Sequence, residues 1–358
     1  MTARADAAPT ARPLIANLQL LRGIAALMIV FVHLWPLLEP QDAEARSPHA
    51  LHAGVDIFFV ISGFIMVHVT TARDMAPGRF ARDRIARIVP VYWLFCLIIF
   101  AAAWLLPSLG SFRPDLGELI RSMLFIPYGS GPNFPPVIYV GWTLNLEMYF
   151  YALFTLALAL SGDRRRPVPL LIAMLTVPVC VAPFTPASSL VRFYGNPVVL
   201  EFAIGMLIAQ HHHRLSRLPV SVGLTATIAG IAVLVALPLE DTGTSRFLLF
   251  ALPATLLVAG AIVLEQRGWR TQATPVLQFG AISYVLYVSH PLVLSALGNV
   301  QERIPALQSP SAALVWSAFA VAAATCFAWI VHHAFEQPMT KALRRRLVAG
   351  QTVRAPAS

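Results

Sequence analysis

The segment LQLLRGIAALMIVFVHLW, residues 18–35, is an apolar run that contains two titratable side chains, Arg22 and His33. A helix of about 20 apolar residues spans a hydrocarbon core of about 30 Å. Similar runs recur throughout the 358 residues, of which 57% are hydrophobic and 12% are charged. An ordinary soluble domain has roughly 25% charged residues. The sequence therefore predicts an all-α, polytopic integral membrane protein.

The apolar runs and the basic residues together predict the topology. About ten transmembrane helices are expected, at residues 18–38, 53–71, 88–106, 141–161, 168–184, 196–210, 219–238, 247–265, 279–298 and 311–334. With the N-terminus inside, 19 of the 26 Lys and Arg residues fall in inside segments and six fall in outside loops. Because cytoplasmic loops are enriched in Lys and Arg, this asymmetry predicts cytoplasmic termini and a multi-pass protein of the bacterial inner membrane.

The remaining composition assigns no soluble domain and no nucleic-acid partner. A polar tail, 1–16, precedes the membrane domain, 17–340, and a basic tail, 341–358, follows it. The net charge of +9 is spread in short clusters between apolar runs and forms no basic soluble face. The three cysteines lie in apolar segments, and His211–His213 end a span beside basic residues, as in an interfacial loop. We expect no metal site from either group.

Arg22 and His33 are predicted to share one face of the first helix. Their separation of 11 residues corresponds to about 1100°, within about 20° of three full turns, and to a rise of about 16 Å. Taken singly, each residue fits a structural role, as a snorkelling arginine or a hydrogen-bonded core histidine. Their alignment on an otherwise apolar helix favours a cavity lined by both.

Two carboxylates lie within predicted spans. Asp56, near the outer end of the second span and ahead of Ser62-Gly63, is interpreted as a structural cap or as the partner that orients a histidine. Glu147 begins the fourth span close to Trp142 and Asn145, at the depth expected for His33. Carboxylates in such positions are costly and usually belong to a site or a pairing.

A third histidine and a basic cluster complete the polar set. His290 precedes Pro291, which frees a backbone carbonyl within the ninth span. The segment GRFARDRIARIVPVYWL, predicted as a cytoplasmic loop leading into a span, carries four arginines: Arg79, Arg82, Arg84 and Arg87. They fit a positive-inside anchor and, because they stand at helical spacing next to a membrane cavity, equally a site for a polyphosphate.

This combination of side chains predicts a reaction class. A membrane histidine beside carboxylates suits abstraction of a hydroxyl proton, and cytoplasmic arginines suit a phosphate-bearing donor. A transporter or flippase for a saccharide or acyl group would also contain intramembrane His, Asp and Glu. Against it, the sequence has no inverted repeat and no paired broken helices. A structural partner of a polysaccharide-synthesis complex remains a third hypothesis.

Seven sequence blocks resemble the membrane acyltransferase-3 family, and in particular its exopolysaccharide-production O-acetyltransferase branch. They follow the family's order from about residue 17 to residue 340: LQLLRGIAALMIVFVHL, GVDIFFVISGFIM, FARDRIARIVPVYWL, GWTLNLEMYFYALF, NPVVLEFAIGMLIA, SYVLYVSHP and FEQP. The resemblance implies O-acylation of an exopolysaccharide or related cell-surface glycan, with acyl-CoA, usually acetyl-CoA, as donor. It implies as partners membrane lipid, a glycan or lipid-linked saccharide acceptor, and other polysaccharide-biosynthesis proteins.

The residue chemistry and the resemblance together predict roles for individual residues. The predicted catalytic residues are His33, as general base, with Arg22, Glu147 and Asp56; the predicted donor-binding residues are Arg22, Arg84, Arg87 and Tyr92; the predicted acceptor-binding residues are Trp142, Asn145 and His290. Two positions depart from the common family pattern. Leu146 stands before Glu147 where two adjacent acidic residues are usual, and Ser289 stands before His290 in place of tryptophan.

Overall fold

A computed structural model describes residues 15–40, 47–73, 75–105, 113–128, 136–161, 167–236 and 244–352. Within these ranges all regular structure is helical, as predicted, and no strand occurs. The α-helices are α1 (Ala16–Leu38), α2 (Gly54–Arg73), α3 (Pro77–Leu105), α4 (Leu116–Met123), α5 (Trp142–Leu160), α6 (Val168–Val181), α7 (Leu190–Tyr194), α8 (Leu200–Gln210), α9 (His212–Leu215), α10 (Val220–Ala236), α11 (Thr244–Gln266), α12 (Thr274–Arg303), α13 (Pro310–Val331) and α14 (Gln337–Thr352).

The helices form a multi-pass membrane protein. Within the part of the chain that the structure describes, seven apolar segments are long enough to cross a bilayer: Ala16–Leu38, His49–Thr71, Pro77–Leu105, Tyr139–Leu160, Arg246–Gln266, Thr274–Arg303 and Pro310–Arg346. Shorter apolar helices, Val168–Phe184, Pro197–Gln210 and Val220–Ala236, lie at the three other predicted spans. Large apolar side chains such as Leu105, Phe184 and Val235 are exposed, as expected of a surface that contacts lipid. A full count of ten crossings stays a prediction.

The basic segment before the third span differs from the prediction. It was expected to be a loop, but α3 begins at Pro77 and includes the four arginines. Proline is well tolerated in the first helical turn, where its missing N–H costs no hydrogen bond. The arginines therefore project from a helix that continues into the apolar core, and the helix continues through Pro90.

Two predicted irregular regions also contain helix. In the predicted loop 107–140, α4 is closed by a reciprocal capping box between Asp115 and Glu118, whereas 106–112 and 129–135 lie outside the described residues. At the C-terminus, α14 crosses the predicted domain limit at residue 340 and follows a π-helical turn, His332–Glu336. Of the predicted tails, 1–14 and 353–358 lie outside the described residues.

Glycines allow the close helix pairs that position the polar side chains. The most extensive contacts join α2 with α8, α10 with α11 and α1 with α12. A Cβ atom at Gly63 would lie 2.1 Å from the Phe202 carbonyl oxygen, and one at Gly205 would lie 2.0 Å from that of Val60. Small residues at such crossings let two backbones approach. At the α1–α12 crossing, Gly280 meets the Gln19 carbonyl in the same way.

Candidate active site

An inner cavity, about 730 Å³ including the open space at its mouth, lies among α1, α2, α3, α5 and α12. Its walls are largely apolar, and its polar side chains include Arg22, Ser62, Arg84, Arg87, Glu147 and Tyr287. Clefts with a few convergent polar groups on apolar walls are typical of ligand sites.

A second cavity, which we call the vestibule, continues from the first. It measures about 1670 Å³ including the open space at its mouth, and Lys341, Arg344 and Glu336 are among its lining residues. Arg22, Arg84 and Arg87 line both cavities. These three arginines, which we call the neck, therefore lie between the vestibule and the inner cavity.

Among the described residues, the neck arginines form no salt bridge with an acidic side chain. Arg22 donates from Nη1 to Gln19 Oε1 at 3.1 Å. Arg84 is buried, its Nε has no hydrogen-bond acceptor among the described residues, and its guanidinium carbon lies 5.8 Å from the Phe80 ring centroid. Buried or half-buried guanidinium groups without a counter-ion are costly, so the neck is suited to an anionic ligand.

Glu147 lies in the inner cavity with Arg22, and its contacts differ from those predicted. Its Oε1 accepts hydrogen bonds from Ser62 Oγ at 2.6 Å and from Tyr151 Oη at 2.5 Å. No described hydrogen bond joins Glu147 to His33. Ser62 and Tyr151 were not singled out from the sequence, although Tyr151 stands one helical turn after Glu147 and shares its face.

The histidines at the outer part of α1 and α12 form a pair. His33 Nδ1 lies 3.1 Å from His290 Nε2, and the two ring centroids are 5.2 Å apart. His290 is fully buried, His33 is half-buried, and the Tyr139 ring packs edge-on against His33 at 4.9 Å. The pair joins residues 257 positions apart, so helix periodicity alone could not predict it.

Tyr287 separates the inner cavity from the histidine pair. The Tyr287 side chain lines the cavity, and its ring centroid lies 6.1 Å from that of His290. Its hydroxyl donates to the Val140 carbonyl at 3.1 Å and lies 2.8 Å from Thr143 Oγ1. Neither histidine is among the lining residues of the inner cavity, so the predicted cavity lined by both Arg22 and His33 is not found there.

Asp56 occupies a separate buried cluster. Its Oδ2 accepts from Arg246 Nη2 at 2.7 Å, and the fully buried Glu201 carboxyl faces it. The same guanidinium donates to the His52 carbonyl at 3.0 Å. No described contact joins Asp56 to His33, so its carboxylate does not orient that histidine. The cluster links the start of α2 to α8 and α11, which the sequence pattern did not indicate.

The other predicted binding residues lie away from the inner cavity. Tyr92 is fully buried, with its ring stacked on Phe125 at 4.6 Å. Trp142 packs against the apolar core, and Asn145 is buried with no described partner for its amide. None of the three is among the lining residues of either cavity.

The vestibule contains a polar network that the sequence reasoning did not use. His332 Nδ1 lies 2.5 Å from Glu336 Oε2, and Gln337 Nε2 lies 2.9 Å from His332 Nε2. All three residues line the vestibule, and the π-helical turn directs them there; such turns are frequent at functional sites. Across the described ranges, no three His, Cys, Asp or Glu side chains are grouped to hold a metal ion.

Comparison with known proteins decides the family. A family model of the acyltransferase-3 group, described as an acyltransferase domain, matches residues 15–333, which include the neck, the inner cavity and the histidine pair. The chain belongs to the acyltransferase-3 family. The resemblance of the seven sequence blocks is thereby confirmed, and the protein is a membrane acyltransferase.

Relatives within this acyltransferase family agree. The chain is 34% identical to exopolysaccharide production protein ExoZ of Rhizobium meliloti (strain 1021) over 315 residues, 85% of this chain and 94% of the relative. It is 26% identical over 291 residues to BcsY of Komagataeibacter xylinus, provisionally named a membrane-bound transacylase, covering 75% of this chain and 70% of the relative. No solved structure matches.

Proposed function

We propose that this acyltransferase transfers an acetyl group from acetyl-CoA to a hydroxyl of an exopolysaccharide or related cell-surface glycan. Family membership supplies the acyl transfer. The alignment with the Rhizobium meliloti relative covers 94% of that protein, and its name, an exopolysaccharide production protein, supports the class of acceptor. The observation that supports acetyl-CoA as the donor is the neck, whose three arginines form no salt bridge among the described residues.

The donor binds from the vestibule. The phosphates of CoA contact the vestibule cations and Arg84 and Arg87, since guanidinium groups bind phosphate oxygens bidentately. The pantetheine arm is narrow and largely uncharged, which fits the mostly apolar inner cavity beyond the neck. Arg22, in the neck, is placed to contact the donor close to its reacting end.

His33 is the general base for the acceptor. Its half-buried ring lies beyond Tyr287, on the side of the protein away from the vestibule. The acceptor hydroxyl gives its proton to His33 while its oxygen attacks the thioester carbonyl. The carbon–sulfur bond breaks, an ester forms, and the proton passes from His33 to the departing CoA thiolate. Because Tyr287 lies between the inner cavity, where the donor binds, and the histidine pair, this reaction requires movement of the Tyr287 side chain.

Topology completes the proposal. Ten spans with cytoplasmic termini place the vestibule on the cytoplasmic side of the inner membrane, where acetyl-CoA is made, and His33 toward the opposite side. Other polysaccharide-biosynthesis proteins deliver the glycan or lipid-linked saccharide. The arrangement moves an acyl group across the bilayer without moving CoA.

The test is transfer of radiolabelled acetyl from acetyl-CoA to surface polysaccharide by the protein in lipid nanodiscs. We expect labelled polysaccharide with the wild type and at least a 100-fold lower rate with His33→Ala, since general-base catalysis contributes about 10²–10⁴-fold. His211→Ala, at an exposed histidine outside both cavities, is the matched control. Normal acetylation by His33→Ala would contradict the proposed base, and absence of any transfer by the wild type would contradict the function.

A further inference from the structure

The hydrogen-bond acceptors around His290 fix which of its ring nitrogens carries the proton. His290 Nδ1 lies 3.1 Å from the Leu286 carbonyl oxygen, and the Tyr287 carbonyl also faces the ring. The Tyr287 carbonyl lacks its usual helical partner because Pro291 has no N–H. A nitrogen that faces carbonyl oxygens must be the donor, so Nδ1 of the neutral ring holds the hydrogen. His290 Nε2 is then an acceptor.

This assignment determines the tautomer of His33. His33 Nδ1 contacts the Ile29 carbonyl oxygen at 3.0 Å and His290 Nε2 at 3.1 Å. Both neighbours are acceptors, so Nδ1 of His33 must carry the hydrogen. Neutral imidazole has one such hydrogen, and the lone pair therefore lies on Nε2 of His33. No described residue hydrogen-bonds to that nitrogen.

We infer that His290 is a positioning residue that holds His33 in the tautomer whose Nε2 accepts the proton of the acyl acceptor. The inference rests on the proposed function and gives His290 a role other than acceptor binding. When Nε2 of His33 gains a proton, its Nδ1–H still donates to His290, which remains neutral. His290 thus does for His33 what a buried acceptor does for the histidine of a catalytic triad, fixing both ring orientation and tautomer.

Burial explains why a neutral acceptor fits this position. His290 is fully buried between α1 and α12, and Tyr287 packs against its ring. A carboxylate there would carry an uncompensated charge at high cost. A second imidazole accepts the same hydrogen bond without that cost, because its own hydrogen is satisfied by the helix backbone.

The experiment combines nitrogen-15 NMR of histidine-labelled protein in lipid bilayers with kinetics. The His33 signals are assigned by their loss in His33→Ala. We expect Nδ1 of His33 to be protonated and Nε2 unprotonated in the wild type. His290→Met, which leaves the Ile29 carbonyl as the one remaining acceptor for Nδ1, should raise the fraction of the other tautomer and lower kcat about tenfold or more with an unchanged KM for acetyl-CoA. His290→Gln, whose amide oxygen can accept from Nδ1, should keep kcat within about threefold of wild type.

Protonation of His33 at Nε2 in the wild type would overturn the inference, whether or not any variant folds. An unchanged tautomer in a folded His290→Met protein would overturn it as well. The proposed function fails separately: if the wild type transfers no acetyl to polysaccharide, the function is wrong while the NMR assignment stands. If the wild type transfers acetyl but His33 is protonated at Nε2, only the positioning role is wrong.

Discussion

The hydroxyl groups of Tyr287 and Thr143 lie 2.8 Å apart at the end of the inner cavity that faces the histidine pair. Both hydroxyl oxygens also lie within hydrogen-bond distance of the Val140 carbonyl oxygen, Tyr287 Oη at 3.1 Å and Thr143 Oγ1 at 3.0 Å, so their two hydrogens are shared among three contacts. The contact holds the aromatic ring between the inner cavity and the histidine pair. A closed partition of this kind keeps water from a bound thioester.

Removing the contact between Tyr287 and Thr143 should allow hydrolysis of acetyl-CoA without transfer of the acetyl group to an acceptor. In Tyr287→Phe, the hydrogen bonds to Thr143 and Val140 are lost while the ring remains. We expect the rate of acetyl-CoA hydrolysis without acceptor to rise about threefold or more, because the partition opens more often. Release of free CoA measured with a thiol reagent gives this rate. Tyr149→Phe, outside both cavities, is the control, and equal hydrolysis in the two variants would contradict the prediction.

The neck arginines should govern donor affinity. Arg84→Gln and Arg87→Gln each remove a charged donor from both cavities, and a hydrogen bond to a charged group contributes about 1.5–3 kcal/mol. We expect KM for acetyl-CoA to rise about tenfold or more in each variant. Arg214→Gln changes an exposed arginine that lines neither cavity and should leave KM unchanged. Steady-state kinetics in nanodiscs decides; an unchanged KM in both neck variants would remove the basis for the donor site.

Asp56 should matter for stability because of Arg246. In Asp56→Asn, the ion pair between Arg246 Nη2 and Asp56 Oδ2 at 2.7 Å is lost; breaking a buried ion pair costs about 3–5 kcal/mol. Glu201→Gln keeps the side-chain size and can donate a hydrogen bond to Asp56, so its loss should be below about 1 kcal/mol. Thermal unfolding in detergent should rank wild type and Glu201→Gln together, well above Asp56→Asn. The reverse order would refute this account of the cluster.

The α2–α8 crossing should not tolerate a methyl group. Gly63→Ala and Gly205→Ala would each place Cβ within about 2 Å of a backbone oxygen on the other helix. Forced overpacking typically costs about 1–3 kcal/mol, and here the obstacle is backbone that cannot rotate away. We expect both variants to lower Tm and expression. Gly78→Ala, where a Cβ meets nothing within 4 Å, should behave like wild type; a normal Tm for Gly205→Ala would contradict the packing.

The ten-span topology is testable at the short helices. The helical segment Pro197–Gln210 covers about 21 Å at 1.5 Å per residue, less than a hydrocarbon core of about 30 Å, so it crosses only where the bilayer adapts or neighbouring protein covers its ends. In a variant without native cysteines, Ser188→Cys should react with a membrane-impermeant maleimide from outside the cell. His211→Cys should react only after lysis. Labelling of both from one side would show that this segment is re-entrant.

The sequence was informative about local features and less so about pairings. Apolar length located every long helix, and the spacing of Arg22 and His33 selected the helix that carries both a neck arginine and the histidine pair. Local patterning could not reveal that Asp56 pairs with Arg246, 190 residues away. Nor could it reveal that Tyr287 lies between the inner cavity and the histidine pair. Such contacts depend on helix crossings set by glycines, whose partners a single sequence does not identify.

The loop predicted before the third span shows a different source of error. A charged segment beside an apolar run is easily interpreted as an interfacial loop. However, Pro77 at a helix start and the spacing of Arg84 and Arg87 are equally consistent with a helix. Arginine stems cover apolar surface while their heads reach polar space. The helix therefore begins among the charges and carries Arg84 into a buried position.

The neck arginines also make the proposed reaction sensitive to the concentration of free CoA. Under the proposed mechanism, the spent carrier keeps every phosphate of the loaded one, and both meet the same arginines between the vestibule and the inner cavity. Free CoA is therefore a competitive product inhibitor, and the binding free energy that captures the donor also slows release of the product. The acylation rate of the surface polymer then follows the cytoplasmic ratio of acetyl-CoA to free CoA, so the composition of the cell surface reports the carbon supply of the cell.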